Sequence, residues 1–318
     1  MLRHRFTLVA LIGSALLASA CSPADPVELA RENSWELARE HGRFVPVDGL
    51  EMFAITVGSG PDVVLVHGMI DSTFTWRLLV PLLEPHYRVH LVDLPGFGFS
   101  DKPDHASYTT EWLAEHLIGY LDAAGIERAL LVGNSMGGRV ASEAAMLHPE
   151  RVAALVLLEA SGVPVEGPDE VEVEAEEPWV VSLLKRPMGQ ALVRMLPTRG
   201  VLRENLEPAY FDPAELSEER LSAWHAPLET DNGMAAYLAR SGRRVPAERA
   251  ARIRALRVPT LVITGDTDRM VPIAIAQRYH ALLPVSELLV WRDTGHMIQE
   301  QHPQRVAEVI RDWDDRHP

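Results

Sequence analysis

With 318 residues, the chain is long enough for two domain-sized units or one large α/β domain with an insertion. Its 47% apolar and 24% charged residues exclude a disordered, collagenous or coiled-coil protein. Basic side chains number 30 against 45 acidic ones, a net charge of −15, and no Lys/Arg-rich stripe is present to neutralise phosphates, so nucleic acid is not an expected partner. The single cysteine, Cys21, excludes an internal disulfide, a four-thiolate zinc site and a redox pair.

At the start of the chain, Arg3, His4 and Arg5 precede residues 6–20 (FTLVALIGSALLASA), which are uncharged and mostly apolar. At about 1.5 Å per residue this run is too short to span a bilayer comfortably, so residues 1–20 read as a secretory signal. Ala18-Ser19-Ala20 fits a small-residue cleavage site, and together with Cys21 it resembles the lipobox of bacterial lipoproteins, although Ala18 stands where leucine is commoner. The expectation is an exported protein carrying lipid on Cys21, with soluble export as the alternative. Ser22 at the next position resembles sorting to the outer membrane, facing the periplasm. Without Arg3 and Arg5 the balance is 28 basic to 45 acidic side chains, so acyl chains rather than anionic lipid would have to anchor such a surface.

Residues 21–42 contain Pro23, Pro26 and a charged, weakly amphipathic stretch, read as a tether and a short helix. From residue 43 short apolar runs follow at 52–57, 63–66, 89–92, 130–132, 152–158, 261–264 and 288–291. Helix-length segments lie between many of them, at 74–83, 110–124, 136–148, 273–283 and 303–314. Such alternation predicts a doubly wound, mostly parallel sheet, because parallel neighbours need crossover helices. Residues 163–246 break the pattern: an acidic loop (166–177) leads into apolar residues at helical spacing, with Pro187 opening a second helix. They are expected to form a helical cap inserted between core segments 43–162 and 247–318. Trp179, Leu183, Met188, Trp224 and Met234 are the cap residues expected to line a substrate gap, with ordinary helix packing as the competing reading for each.

Gly133-Asn134-Ser135-Met136-Gly137 follows the run 130–132 and precedes a helix. This is the context of a nucleophile elbow, in which Ser135 sits on a sharp strand-to-helix turn and the flanking glycines let backbones pass closely. The helix N-terminus then points the Met136 amide at an oxyanion beside the serine. Serine is a poor nucleophile at neutral pH and needs a base. Among 13 histidines, His296 has the best context, in a loop after the run 288–291, where parallel sheets present their sites. His67, before Gly68, is expected to shape the oxyanion loop and touch substrate. A carboxylate must orient the imidazole, and Gly265-Asp266-Thr267-Asp268 after another buried run offers both Asp266 and Asp268.

Taken together, His67-Gly68, Asp93-Leu94-Pro95-Gly96-Phe97-Gly98-Phe99-Ser100, the elbow, the stretch from Pro259 to Asp268 and Gly295-His296 make the chain resemble the α/β-hydrolase superfamily over about residues 43–316, in its serine esterase and lipase-like branch. The resemblance implies that Asp268 is the acid, that Asp266 caps a loop, and that Glu159 stands where some members carry the acid instead. It also implies the Met69 amide as second oxyanion donor. Serine at position 135 argues against the haloalkane-dehalogenase and epoxide-hydrolase branches, which need a carboxylate nucleophile. Carbon–carbon hydrolases are the nearest rival, but their glycine-rich stretch after His-Gly is replaced by Met69-Ile70-Asp71-Ser72-Thr73. The leading expectation is a carboxylic ester hydrolase for medium-sized apolar small molecules, working through an acyl-enzyme. Thioester, lactone or carbon–carbon hydrolysis is the alternative within the fold, and a ligand-binding receptor with a vestigial triad the alternative of another class. No phosphate-binding loop, dinucleotide fingerprint or metal-ligand spacing is visible, so neither cofactor nor metal is expected.

Overall fold

In chain order the elements are α1 (Glu36–His41), β1 (Gly42–Val47), β2 (Leu50–Gly58), β3 (Asp62–Val66), α2 (Val80–Leu83), β4 (Arg88–Val92), α3 (Thr110–Ala123), β5 (Ala129–Asn134), α4 (Met136–Leu147) and β6 (Val152–Leu158). They continue with α5 (Thr198–Leu206), α6 (Glu218–His225), α7 (Arg249–Ala255), β7 (Thr260–Gly265), α8 (Ile273–Leu282), β8 (Ser286–Trp291), α9 (Ile298–Gln301) and α10 (Pro303–Arg316). The computed structural model describes residues 35–104, 106–164, 198–230, 232–233, 236 and 245–317.

The strands form one sheet in the order β1-β2-β4-β3-β5-β6-β7-β8. From β4 to β8 all neighbours are parallel, while β2 pairs antiparallel with both β1 and β4. Period-two alternation explains why the apolar runs are nearly continuous: each face of a strand meets a different helical layer. Val64, Val66, Leu131, Leu155 and Val262 pack with side chains of α3, α4, α7 and α8. Their neighbours Val63, Leu65, Val132, Val156 and Ile263 pack with Val80, Leu83, Val306, Ile310 and Trp313 on the opposite face.

Seven strands cover the predicted apolar runs, and β1 is one that sequence pattern did not single out. Its hairpin with β2 turns at Asp48-Gly49, whose φ angles of 48° and 82° are those a two-residue type I′ turn demands. The helix expected over 74–83 is broken into a 3₁₀ turn at Thr73–Trp76 and the short α2, because Pro81 is tolerated only in a helix's first turn.

Between β6 and β7 the described residues contain α5, α6, α7 and three 3₁₀ turns, and contribute no strand to the sheet. Leu206, Tyr210, Leu216, Leu221 and Trp224 gather there into a separate apolar cluster that reaches the core at Met297. Cys21, the residues of the expected signal, the acidic stretch 166–177 and Trp179, Leu183, Met188 and Met234 lie outside the described residues. Among the described residues no helix is long and apolar enough to cross a membrane.

Candidate active site

The turn from β5 into α4 is tight enough that side chains have no room beside it. A Cβ on Gly133 would meet the Gly137 carbonyl at 2.5 Å, and one on Gly137 would strike the Val66 and His67 carbonyls. Ser135 between them has φ 53° and ψ −117°, a strained geometry for a residue with a side chain. Its backbone is fixed from three sides: its amide donates to Leu158 O at 2.9 Å, and its carbonyl accepts from Arg139 and Ser161. The side chain is left partly exposed at the carboxyl end of the sheet.

His296 is brought to the same end. Asn134, the residue before Ser135, donates its side-chain amide to the His296 carbonyl at 3.2 Å, and the His296 amide donates to Ala209 O at 2.7 Å. Asp268 Oδ2 lies 2.6 Å from His296 Nδ1 with its side chain fully buried, while Oδ1 accepts the Met270 and Val271 amides at 2.7 and 3.0 Å. Burial alone would raise the Asp268 carboxyl, but the His296 imidazole and the two amides hold it below the usual aspartate range. An ionised Asp268 accepts only from Nδ1–H, so His296 Nε2 keeps its lone pair. Asp266, by contrast, is exposed and accepts the Asp293 amide at 2.8 Å as a loop cap.

The loop after β3 passes directly over the elbow: a Cβ on Gly68 would lie 3.5 Å from Ser135 Cβ and 3.2 Å from Asn134 Oδ1. Among the described residues neither the Met69 nor the Met136 amide donates to a protein acceptor, leaving both available to an oxyanion. His67 corrects one expectation. It is fully buried, with Nδ1 donating to Gly68 O at 2.7 Å and Nε2 accepting from the Leu94 amide at 3.0 Å, so it shapes the loop and has no nitrogen left for substrate. The Asp93 motif supports the same loop: the Asp93 carboxylate accepts the Thr73 amide at 2.6 Å and the Phe99 amide at 2.8 Å. Trp224 is a second correction, since it is buried and its indole N–H donates to Asp71 Oδ1 at 2.8 Å, joining the helical segment to the loop after Gly68 rather than lining a gap.

Glu159, directly after β6, is buried beside this acid. Its carboxyl accepts from Thr264 Oγ1 at 2.8 Å and from the Gly265 amide, and burial together with the Asp268 charge pushes it well above the usual glutamate range. An acid raised by folding keeps its proton after the unfolded chain has released one. Its stabilisation is therefore full below the ordinary glutamate range and is lost as pH rises through the raised value. Glu159→Gln removes that loss, so its stability relative to the parent should improve as pH rises over the interval from the ordinary glutamate range up to that raised value. Urea midpoints of both proteins across that interval measure it; a difference that does not change with pH would mean that Glu159 ionises like an ordinary carboxyl.

Comparison with known proteins places these features in a family. Residues 61–303 match the family profile described as alpha/beta hydrolase fold. A 2-hydroxy-6-oxo-2,4-heptadienoate hydrolase of Pseudomonas putida is 33% identical over 280 residues, which is 86% of this chain and 96% of that protein. A pimeloyl-acyl-carrier-protein methyl ester esterase of Aeromonas hydrophila is 32% identical over 257 residues, 80% of this chain and 95% of that protein. Among solved structures, a membrane phospholipase A superposes with a TM-score of 0.73 at 26% identity, covering 98% of each chain. The chain therefore belongs to the α/β-hydrolase fold family.

Proposed function

We propose that this hydrolase cleaves carboxylic esters carrying medium-sized apolar groups, with Ser135 as nucleophile, His296 as base and Asp268 as its orienting acid. The observation that carries the proposal is the 2.6 Å contact between Asp268 and His296 on a loop whose backbone is tied to the residue preceding Ser135. Ser135 Oγ attacks the ester carbonyl carbon as His296 Nε2 takes its proton, and the carbonyl oxygen becomes an oxyanion facing the Met69 and Met136 amides. Collapse breaks the bond to the alkoxy oxygen, which leaves as alcohol with the proton from Nε2. Water, deprotonated by Nε2, then releases the acid and regenerates Ser135.

Two of the similar proteins, an esterase and a phospholipase A by name, support ester chemistry. The Pseudomonas putida relative supports a second reading, hydrolysis of a carbon–carbon bond, whose named substrate is an anion. The ester reading is favoured because, among the described residues, Arg220, a buried cation beside the loop after Gly68, is already paired with Asp71 and Glu300, each at 2.8 Å. A chain-length series of p-nitrophenyl esters, run beside a 2-hydroxy-6-oxo-dienoate, separates the two. Ester turnover should rise with acyl length until the pocket is full, at about 0.8 kcal/mol per methylene; turnover of the dienoate alone would replace the ester reading.

For location, the proposal is lipid attachment at Cys21 after removal of residues 1–20. Cys21→Ser should leave ester hydrolysis unchanged while moving the enzyme from the membrane pellet to the soluble fraction, because the anchor is chemically separate from Ser135. Failure of labelled fatty acid to enter the parent chain would replace lipidation with plain export.

A further inference from the structure

We infer that Arg220, on α6 and outside the triad, is a positioning residue that holds the oxyanion loop and the His296 loop in one register. The inference rests on the hydrolase reading above. Arg220 is fully buried, and its Nη2 lies 2.8 Å from Asp71 Oδ2 and 2.8 Å from Glu300 Oε1. Its guanidinium face stacks over Trp224 at 4.5 Å and Phe74 at 5.6 Å, which fixes the fork in one plane.

The two carboxylates belong to different loops of the site. Asp71 is three residues beyond Gly68, and its other oxygen accepts the Ser72 amide and the Trp224 indole, each at 2.8 Å. Glu300 lies on α9, four residues beyond His296, also accepts from Thr75 Oγ1 at 3.0 Å and Tyr210 OH at 3.2 Å, and forms an ion pair with Arg77 Nη1 at 3.0 Å. The 3₁₀ turn Glu207–Ala209, directly after α5, reinforces the link, because Ala209 O accepts both the His296 and the Met297 amide at 2.7 and 3.2 Å. One nitrogen thus joins the segment bearing the Met69 donor to the segment bearing the base.

Desolvating a pair of carboxylates and two arginines stabilises a fold no better than apolar side chains of similar volume. What the charges add is geometry: the planar guanidinium directs its N–H groups along fixed in-plane directions, so the distance between the loops is set by Arg220 rather than by soft packing. Loss of the guanidinium leaves Asp71 and Glu300 facing the same dry gap, where their repulsion separates the loops. Oxyanion stabilisation then falls while ground-state binding, made elsewhere on the substrate, does not.

The test compares Arg220→Ala, Arg220→Lys and the parent for ester kinetics, for affinity toward a trifluoromethyl ketone that mimics the tetrahedral adduct, and for recovery on adding guanidinium. The expected result for Arg220→Ala is a fall in kcat on the order of 10²-fold with KM changed less than about threefold, and ketone affinity falling in step. Guanidinium should restore part of kcat, and Arg220→Lys, which keeps the charge but has a freely rotating ammonium in place of the planar, stacked head, should lie between. If Arg220→Ala does not fold, the lysine variant is judged by the same kcat and ketone readouts. A folded variant with parental kcat and ketone affinity, or one altered only in KM, overturns the inference. Fluorophosphonate labelling of the parent keeps the two readings apart. A parent that does not label overturns the hydrolase reading and this inference with it, whereas a parent that labels and is matched by its variants overturns this inference alone.

Discussion

Ser135→Ala is expected to lose ester hydrolysis by on the order of 10⁶-fold in kcat while remaining folded. Only the hydroxyl is removed. The bonds that fix the elbow, from the Ser135 amide to Leu158 O and from Arg139 and Ser161 to the Ser135 carbonyl, are all made by backbone. Alanine keeps the Cβ, so it faces the same close approach of Gly68 and the same positive φ as serine. Some acceleration over water should survive, since the Met69 and Met136 amides remain to meet an oxyanion formed by direct attack of water. Steady-state turnover of a p-nitrophenyl ester, with urea unfolding as the control for structure, measures the effect. Turnover near that of the parent by a folded Ser135→Ala protein would take the serine out of the mechanism.

The fold was legible where burial imposes a period. Runs such as 63–66 and 152–158 are apolar on both faces because helices cover both, and no other environment keeps such runs together in a chain of this composition. The first strand escaped notice because it is an edge. Gly42, Phe44 and Pro46 do not form an apolar run, and the informative signal was the Asp48-Gly49 turn rather than the strand itself. At the site, the elbow could be read because its glycines, serine and following helix are contiguous. The choice between Asp266 and Asp268 could not be read from composition, since both follow the same strand, and only the loop's path turns one to the Asp293 amide and the other to His296. Arg220 and Trp224 were opaque for a different reason: their partner Asp71 lies about 150 residues earlier in the chain, and nothing local to α6 marks either residue as more than helix packing. The two nitrogens of His67 were equally unreadable, because a histidine next to glycine looks the same whether it faces substrate or donates to the neighbouring carbonyl.

Asp268→Asn should lower kcat by about 10⁴-fold with little change in folding, whereas Asp266→Asn should be nearly silent. Asparagine can keep accepting the Met270 and Val271 amides through its carbonyl oxygen, so the loop has no reason to move. What changes is the group facing His296 Nδ1. An amide N–H₂ placed 2.6 Å from that nitrogen cannot accept from it, so the imidazole adopts the tautomer with its proton on Nε2 and its lone pair turned away from Ser135. The base is then blocked rather than absent, and the loss of the anion also removes the charge that would stabilise the imidazolium formed during attack. Glu159 gives the experiment a second readout. With Asp268 neutral, the repulsion that helps hold the Glu159 carboxyl high disappears, so Glu159 should ionise at lower pH in the variant, and pairing Asp268→Asn with Glu159→Gln should abolish any pH-dependent recovery of rate. Because Glu159 is held by Thr264 and Gly265 rather than by His296, that recovery should fall well short of the parent. A larger loss in Asp266→Asn than in Asp268→Asn would move the acid to Asp266, against the geometry of the loop.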